Sequence, residues 1–260
     1  MFKLLTLSLS MLMVASTVCH AKVRVVFAYE DKAQVPYYLE DSTTVPEKPG
    51  AAVELVKSLE TLLPELSIEL RRYPWKRCLS LLQSGELDGI FNASFNHERE
   101  VFGVYPFKEG KPDAARRITS ISYALYSRGG NPLDWNGQSF GQVEGVNVGA
   151  PLGFSIVKDL RKQGLHVQEF VSSELSLRML TALRVDAVAL QEVTGDYLIQ
   201  SKPDEFSNIY KVAPLLSTKA YYLMLSKQFM AEHPELGEQI WDAIGTLREN
   251  TLPRLLESYM

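Results

Sequence analysis

The chain has 260 residues, 46% of them hydrophobic, and carries 27 basic against 31 acidic side chains for a formal charge of −4. That length fits one large domain or two of ordinary size, and a mild acidity without any basic block argues against a nucleic-acid partner. His97, His166 and His233 are scattered without paired-ligand spacing, so no metal site is expected.

The first residues read as a targeting segment. Lys3 supplies a positive charge, residues 4–18 are apolar but too short for a membrane span, and Cys19-His20-Ala21 puts small residues where a signal peptidase reads. Cleavage is expected after Ala21, making residues 1–21 a signal peptide and the mature protein periplasmic. A lipid-modified Cys19 is the competing reading, but Ser16, Thr17 and Val18 lack the leucine and small-residue pattern of a lipobox. Loss of Lys3 leaves 26 basic against 31 acidic groups. No later apolar run is long enough to span a membrane. Cys78 then remains as the sole cysteine; on the apolar face of a helix it suits a packed small hydrophobe.

Residues 22–29 (KVRVVFAY) alternate and are rich in valine, as a first strand is. A loop runs from Glu30 into Val35-Pro36-Tyr37-Tyr38, and residues 41–50 form a polar, proline-bearing surface loop. Residues 51–63 carry Val53, Val56, Leu59, Leu62 and Leu63 at helical spacing, and Pro64 ends that helix. Residues 67–73 (SIELRRY) alternate as a second strand.

The next stretch, residues 73–107, organises the chain. Tyr73-Pro74-Trp75 is an aromatic turn, and a helix with Cys78, Leu79, Leu81 and Leu82 on its apolar face follows, stopped by Gly85. Residues 87–91 read as a short buried strand that gives way to Asn92-Ala93-Ser94 and then to Arg99. A strand that ends in small polar residues beside an arginine can hold an anion with both backbone N–H groups and a guanidinium.

Beyond it, residues 108–117 are charged and break the pattern, residues 118–127 (ITSISYALYS) alternate as a strand, and Trp135 sits in a turn-rich loop where it looks peripheral. Residues 145–160 (GVNVGAPLGFSIVKDL) show a strand, a glycine-bearing loop and a helix starting near Phe154 or Ser155, a general anion-binding arrangement, without the Gly-Lys-Ser/Thr of a nucleotide-phosphate loop. Residues 167–171 form another strand, residues 173–183 a helix capped by Ser172 or Ser173, and residues 184–190 repeat the strand logic of residues 86–90. Gln191 and Glu192 follow that strand. Residues 221–225 are expected to be a returning strand, and two C-terminal helices follow, around Ile240, Trp241 and Ile244 and near residues 253–259.

The order Ser84-Gly85-Glu86-Leu87-Asp88, Asn92-Ala93-Ser94, Arg99 and Tyr105-Pro106-Phe107 resembles the core of bacterial periplasmic solute-binding proteins of the polar-amino-acid ABC-transporter type, and the resemblance extends over essentially the whole mature chain. It implies an α/β, two-lobed type II periplasmic-binding-protein fold, each lobe a mixed sheet flanked by helices. Lobe 1 would be residues 22–107 and 218–260, lobe 2 residues 118–214, with hinge crossings near 107–118 and 214–218. It also implies a monomeric receptor without cofactor that closes on a small polar, anionic or zwitterionic ligand and delivers it to a permease of the inner membrane.

Carried over residue by residue, the resemblance makes Tyr29, Tyr37 and Trp75 apolar walls. Asn92, Ala93 and Ser94 become hydrogen-bonding groups, Arg99 the anion clamp, and Leu152, Gly153 and Phe154 the second lobe's loop on the ligand. Trp75 could instead plug the lobe surface, and Arg99 could pair with Glu98 or Glu100. The family commonly has an aspartate at the position of Gln191, to pair with a ligand ammonium. Here the residue is a neutral amide with Glu192 beside it, so another acid substitutes or the ligand is no ordinary α-amino acid. A sensory binding protein without a transporter is the first alternative. A lyase or hydrolase on the same scaffold, with Glu30 or Glu192 as its acid, is the second.

Overall fold

The structure, a computed structural model, describes residues 22–259, so the signal-peptide reading concerns residues outside it. The chain opens with β1 (Val23–Glu30), α1 (Ala51–Lys57), α2 (Leu59–Leu62), β2 (Leu66–Tyr73), α3 (Trp75–Gln83) and β3 (Gly89–Ser94). A small hairpin of β4 (Phe107–Lys108) and β5 (Lys111–Pro112) leads to the long strand β6 (Thr119–Ser127). After it come β7 (Asn147–Pro151), α4 (Ser155–Lys162), β8 (His166–Phe170), α5 (Ser173–Thr181), β9 (Ala187–Gln191), α6 (Glu192–Ser201) and α7 (Pro203–Phe206). The chain returns through β10 (Tyr210–Leu225) and closes with α8 (Lys227–Glu232), α9 (Pro234–Asn250) and α10 (Leu252–Tyr259).

Eight strands make one sheet in the order β2-β1-β3-β10-β6-β9-β7-β8. Each end of it is parallel: β1 runs between β2 and β3, and β7 between β8 and β9. In the middle β10 is antiparallel to both β3 and β6, with its register shifted between Val212 and Ser217. The expected return strand is therefore sixteen residues long rather than five, because β6 pairs with half of its residues and β3 with its Tyr221–Leu225 end.

Strand β1 begins by alternating, but Phe27, Ala28, Tyr29 and Glu30 are all buried, as befits a parallel strand covered on both faces. The helix over residues 51–63 is broken at Ser58, whose hydroxyl donates to the Glu54 carbonyl at 2.8 Å. Ser172 caps α5 by accepting from the Leu175 N–H. Helix α9 buries Ile240, Trp241, Ile244 and Leu247, and the Trp241 indole donates to the Leu223 carbonyl at 2.8 Å, fixing this helix to β10. Trp135, expected to be peripheral, is buried: its indole N–H donates to the Pro214 carbonyl at 2.9 Å and its ring lies 4.5 Å from that of Phe140. Cys78 is buried and free, and burial pushes its thiol pKa well up, as a packed hydrophobe requires. Among the described residues no helix is long and apolar enough to cross a membrane.

One buried cation shapes the loop after β1. Arg72 donates to the carbonyls of Glu30, Leu39 and Glu40 at 2.7–3.3 Å and lies 4.9 Å over the Tyr29 ring. It thus ties both ends of the loop to β2. Helix α1 holds the middle: the Ala51 and Ala52 amides donate to the carbonyls of Pro36 and Tyr37. Gly50 must be glycine here, because a Cβ would sit 2.5 Å from the Tyr37 oxygen and its φ is +109°. Arg72→Met would remove the donor from three carbonyls, of which that of Glu30 is buried, and should cost about 1–3 kcal/mol, read by urea unfolding. A loss under 1 kcal/mol, in the range of a single ordinary hydrogen bond at roughly 1 kcal/mol, would show that the clamp is not needed.

Candidate functional site

The carboxyl ends of the parallel strands meet at the seam between the lobes, where sheets of this kind hold ligands. Glu30 ends β1, Asn92 and Ser94 end β3, Gln191 ends β9, and Phe154 and Ser155 follow β7 at the start of α4. With Tyr38, Trp75, Arg99, Tyr123 and Tyr221 they line a small cavity. Tyr123 on β6 and Tyr221 on β10 form part of its wall, hydroxyl to hydroxyl at 2.7 Å. Burial raises both phenol pKa values, so both stay neutral.

One side of the cavity is cationic. Arg99 sits in a 3-10 turn that follows Asn96, whose side chain accepts from the Glu98 N–H. Its Nη1 donates to the Ser94 carbonyl at 2.8 Å and to Ser94 Oγ at 3.1 Å, and its Nη2 reaches the Gly153 carbonyl of the other lobe at 3.0 Å. The guanidinium lies 5.2 Å over the Trp75 ring. It pairs with neither neighbouring glutamate: Glu98 bonds Lys158 across the seam, and Glu100 bonds His97. Arg99 is buried, because the lobes are closed on it. Ser94–Ser155, Glu98–Lys158 and Thr194–Gln34 contacts close the seam further.

Opposite charge comes from Glu30, the only carboxylate among the described residues of the cavity wall. Burial pushes its pKa up to about 8, and the charges of Asp31 and Asp41 push the same way, against a hydrogen bond from Gln34 and the charge of Lys32. Near neutral pH the closed site therefore holds it largely as a carboxylic acid.

Several cavity groups have no partner. Trp75 Nε1, both amide atoms of Asn92 and Gln191 Oε1 are buried without a hydrogen bond. Buried polar atoms are rarely left so, since each costs free energy unless something pairs with it. Asn92 is held at φ +58°, a left-handed conformation that a non-glycine residue adopts rarely. A conformational cost and two orphaned amide atoms at one cavity residue fit a site shaped for a polar ligand.

No protein-family model matches the sequence, and no curated protein matches it. Solved structures do. An ancestral arginine-binding protein bound to glutamine is 18% identical, with 91% of this chain and 97% of that one covered at a TM-score of 0.70. The GluR0 ligand-binding core from Nostoc punctiforme, in complex with L-glutamate, is 17% identical over 91% of this chain and 99% of that one, again at 0.70. A histidine kinase sensor domain with similarity to periplasmic binding proteins is 17% identical, covering 92% and 97% of the two chains at 0.69. The chain has the type II periplasmic-binding-protein fold.

Within that fold the structure brings together Trp75, Asn92, Ser94, Arg99, Phe154 and Gln191 of the residues singled out in the sequence. The others lie elsewhere. Tyr29 is buried against Tyr38 and Phe91, at ring distances of 5.5 and 5.0 Å, because the inward face of β1 is core until its last residue. Tyr37 is buried in the same core, and its neighbour Tyr38 takes the place on the cavity. Ala93 faces the other side of β3, packed with Leu82 and Tyr105. Leu152 is spent on its loop, its N–H donating to the Phe170 carbonyl at 2.8 Å. Gly153 meets the cavity only through the carbonyl that takes Arg99; its side lies against Trp75 and Lys76. Glu192 turns outward from α6 to Lys211, 2.8 Å away, so it is not the substitute acid at the cavity. Glu30, Tyr38, Tyr123, Ser155 and Tyr221 were not placed there from sequence as ligand contacts. The alternating pattern of residues 118–127 and 221–225 was the one available signal for the two tyrosines.

Proposed function

We propose that this chain is an extracytoplasmic solute-binding receptor that closes its lobes around a small dipolar solute. The supporting observation is that one guanidinium and one carboxyl share a wall in which Trp75 Nε1, both amide atoms of Asn92 and Gln191 Oε1 lack partners. Arg99 takes the anionic end, with Ser94 and Ser155 beside it. Glu30, rather than a residue at the Gln191 position, takes the cationic end, and Gln191 Oε1 and Asn92 add neutral hydrogen bonds. Trp75 and Phe154 supply apolar wall. Two structural neighbours are recorded with glutamine and L-glutamate bound, which agrees with an amino-acid-like solute.

The lobes we infer are residues 22–107 with 218–260, and residues 118–214, hinged near 107–118 and 214–218, segments that adjoin the paired strands β6 and β10. Delivery to a permease of an ABC importer is the role the family resemblance supports. A sensory role on the same binding chemistry is the second reading, because one neighbour is a sensor domain.

A thermal-shift screen of protein refolded from denaturant, so that any carried-over ligand is removed, tests the site. L-Amino acids, including L-arginine, L-glutamine and L-glutamate, would be compared with polyamines, small dicarboxylates and short sugars. Compounds bearing both charges should raise Tm, with about 2.7 kcal/mol of added stability expected at a hundred times Kd. Shifts confined to sugars, or to polyamines that offer no anion, would refute the dipolar reading.

A further inference from the structure

Behind the cationic side of the cavity stands a second cation that does not line it. Lys219 on β10 is half-buried; it pairs with Asp159, lies 5.6 Å from the Tyr123 ring centre and donates to Ser155 Oγ at 2.9 Å. Ser155 Oγ also accepts from Ser94 Oγ at 2.8 Å, and Ser94 Oγ accepts from Arg99 Nη1 at 3.1 Å. Lysine and arginine can only donate, and a hydroxyl has one proton and two acceptor positions. Ser155 therefore has both acceptor positions filled, and its own proton remains. Reversing the Ser94–Ser155 bond would move the free proton to Ser94, which lines the same cavity. In either case two donor-only cations, one at each end of the pair, leave one hydroxyl proton to give to whatever fills the site.

We propose that Lys219 is a positioning residue: by donating into Ser155 it fixes the serine pair as a hydrogen-bond donor to the ligand, and so makes the site select an anionic end over an amide. Without Lys219, Ser155 could turn an acceptor position toward the cavity and take an amide N–H equally well. With it, the Arg99 side of the cavity offers donors, which suits a carboxylate, whereas a carboxamide must present its oxygen alone and leave its nitrogen facing them. This inference rests on the receptor reading of the same cavity.

The test compares acid and amide forms of the same probes, L-glutamate, L-glutamine and L-arginine against their α-carboxamides, by calorimetry on wild-type protein, Lys219→Met, Lys219→Arg, Ser155→Ala and the Lys219→Met/Ser155→Ala pair. Loss of one hydrogen bond to a charged group should narrow the acid-to-amide affinity ratio by about tenfold in Lys219→Met. Ser155→Ala should narrow it by a similar factor, the double variant no further, and Lys219→Arg should restore most of it. A purely structural lysine would weaken acid and amide alike and leave the ratio unchanged, which overturns the proposal. If Lys219→Met does not fold, an unchanged ratio in Ser155→Ala overturns it as well. A wild-type protein that binds none of the six probes refutes the receptor reading together with this one, whereas wild-type binding with an unmoved ratio refutes this one alone.

Discussion

Glu30→Gln should stabilise the empty protein and destroy its affinity for a cationic group in the same stroke. The wild-type carboxyl has a pKa of about 8 in the closed site, far above that of an unfolded chain. Between about pH 4.5 and 8 the folded state then binds a proton that the unfolded state has lost, so stability falls as pH rises through this window and levels off above it. The amide does not ionise and escapes that loss. The gain in Tm over wild type should be near zero at pH 4.5 and about 5–10 °C at pH 8.5, taking a few kcal/mol and about 2–4 °C per kcal/mol for a chain of this size. Binding moves the other way. A ligand ammonium needs the ionised carboxylate, so wild-type affinity should rise with pH by up to about tenfold per unit below pH 8, and the variant should show no such slope. Melting curves and calorimetry from pH 5 to 9 measure both. Equal Tm profiles, or a Glu30→Gln variant that binds the same solute with wild-type affinity, would remove Glu30 from the site.

The second large effect concerns Arg99. Its three hydrogen bonds join the end of β3 to the Gly153 carbonyl across the seam, so the side chain both meets the ligand and draws the lobes together. Arg99→Ala should weaken binding of a dipolar solute by roughly 30- to 1,000-fold, the range for truncating one partner of a buried charged contact. Arg99→Lys should recover little, because a point-charge ammonium cannot reach the Ser94 and Gly153 carbonyls together as a planar fork can. The first lobe should remain folded, since the Ser94 carbonyl also accepts from the Tyr105 hydroxyl at 2.9 Å. Circular dichroism checks the fold, calorimetry the affinity, and small-angle scattering the compactness of the closed state. Affinity within threefold of wild type would dismiss the clamp.

What the sequence disclosed and what it withheld follow from the range of the interactions involved. Strand-ending small residues, a glycine stop and a helix-starting serine are local, and they located β3, α3 and α4 and brought Asn92, Ser94 and Arg99 into view. Gln191 and Glu192 show the limit. They are adjacent, yet the strand ends at one and the helix begins at the other, so one side chain enters the cavity and the other faces solvent and Lys211. Tyr37 and Tyr38 differ in the same way, decided by where α1 holds their loop. Glu30 was legible as an acid near the cleft but not as the only carboxylate among the described residues of the cavity wall, because that depends on Asp31 and Asp41 lying outside it. Lys219 carried no local signal: its serine partner lies 64 positions away in the chain.

The order of strands has a consequence for how the molecule comes into being. In the sheet β3 is bordered on one side by β10, whose Tyr221–Leu225 end is made after the whole second lobe. Trp241, which anchors α9 to that strand, is made later still. A ribosome that has delivered β1, β2 and β3 has therefore produced a sheet with an unpaired border at residues 89–94, and among the described residues no strand of the first half of the chain closes it. The first lobe is the earliest part to be synthesised and the last to be finished. Its assembly must wait for contacts more than a hundred residues apart, a topology associated with slow folding and with exposure to aggregation in the interval.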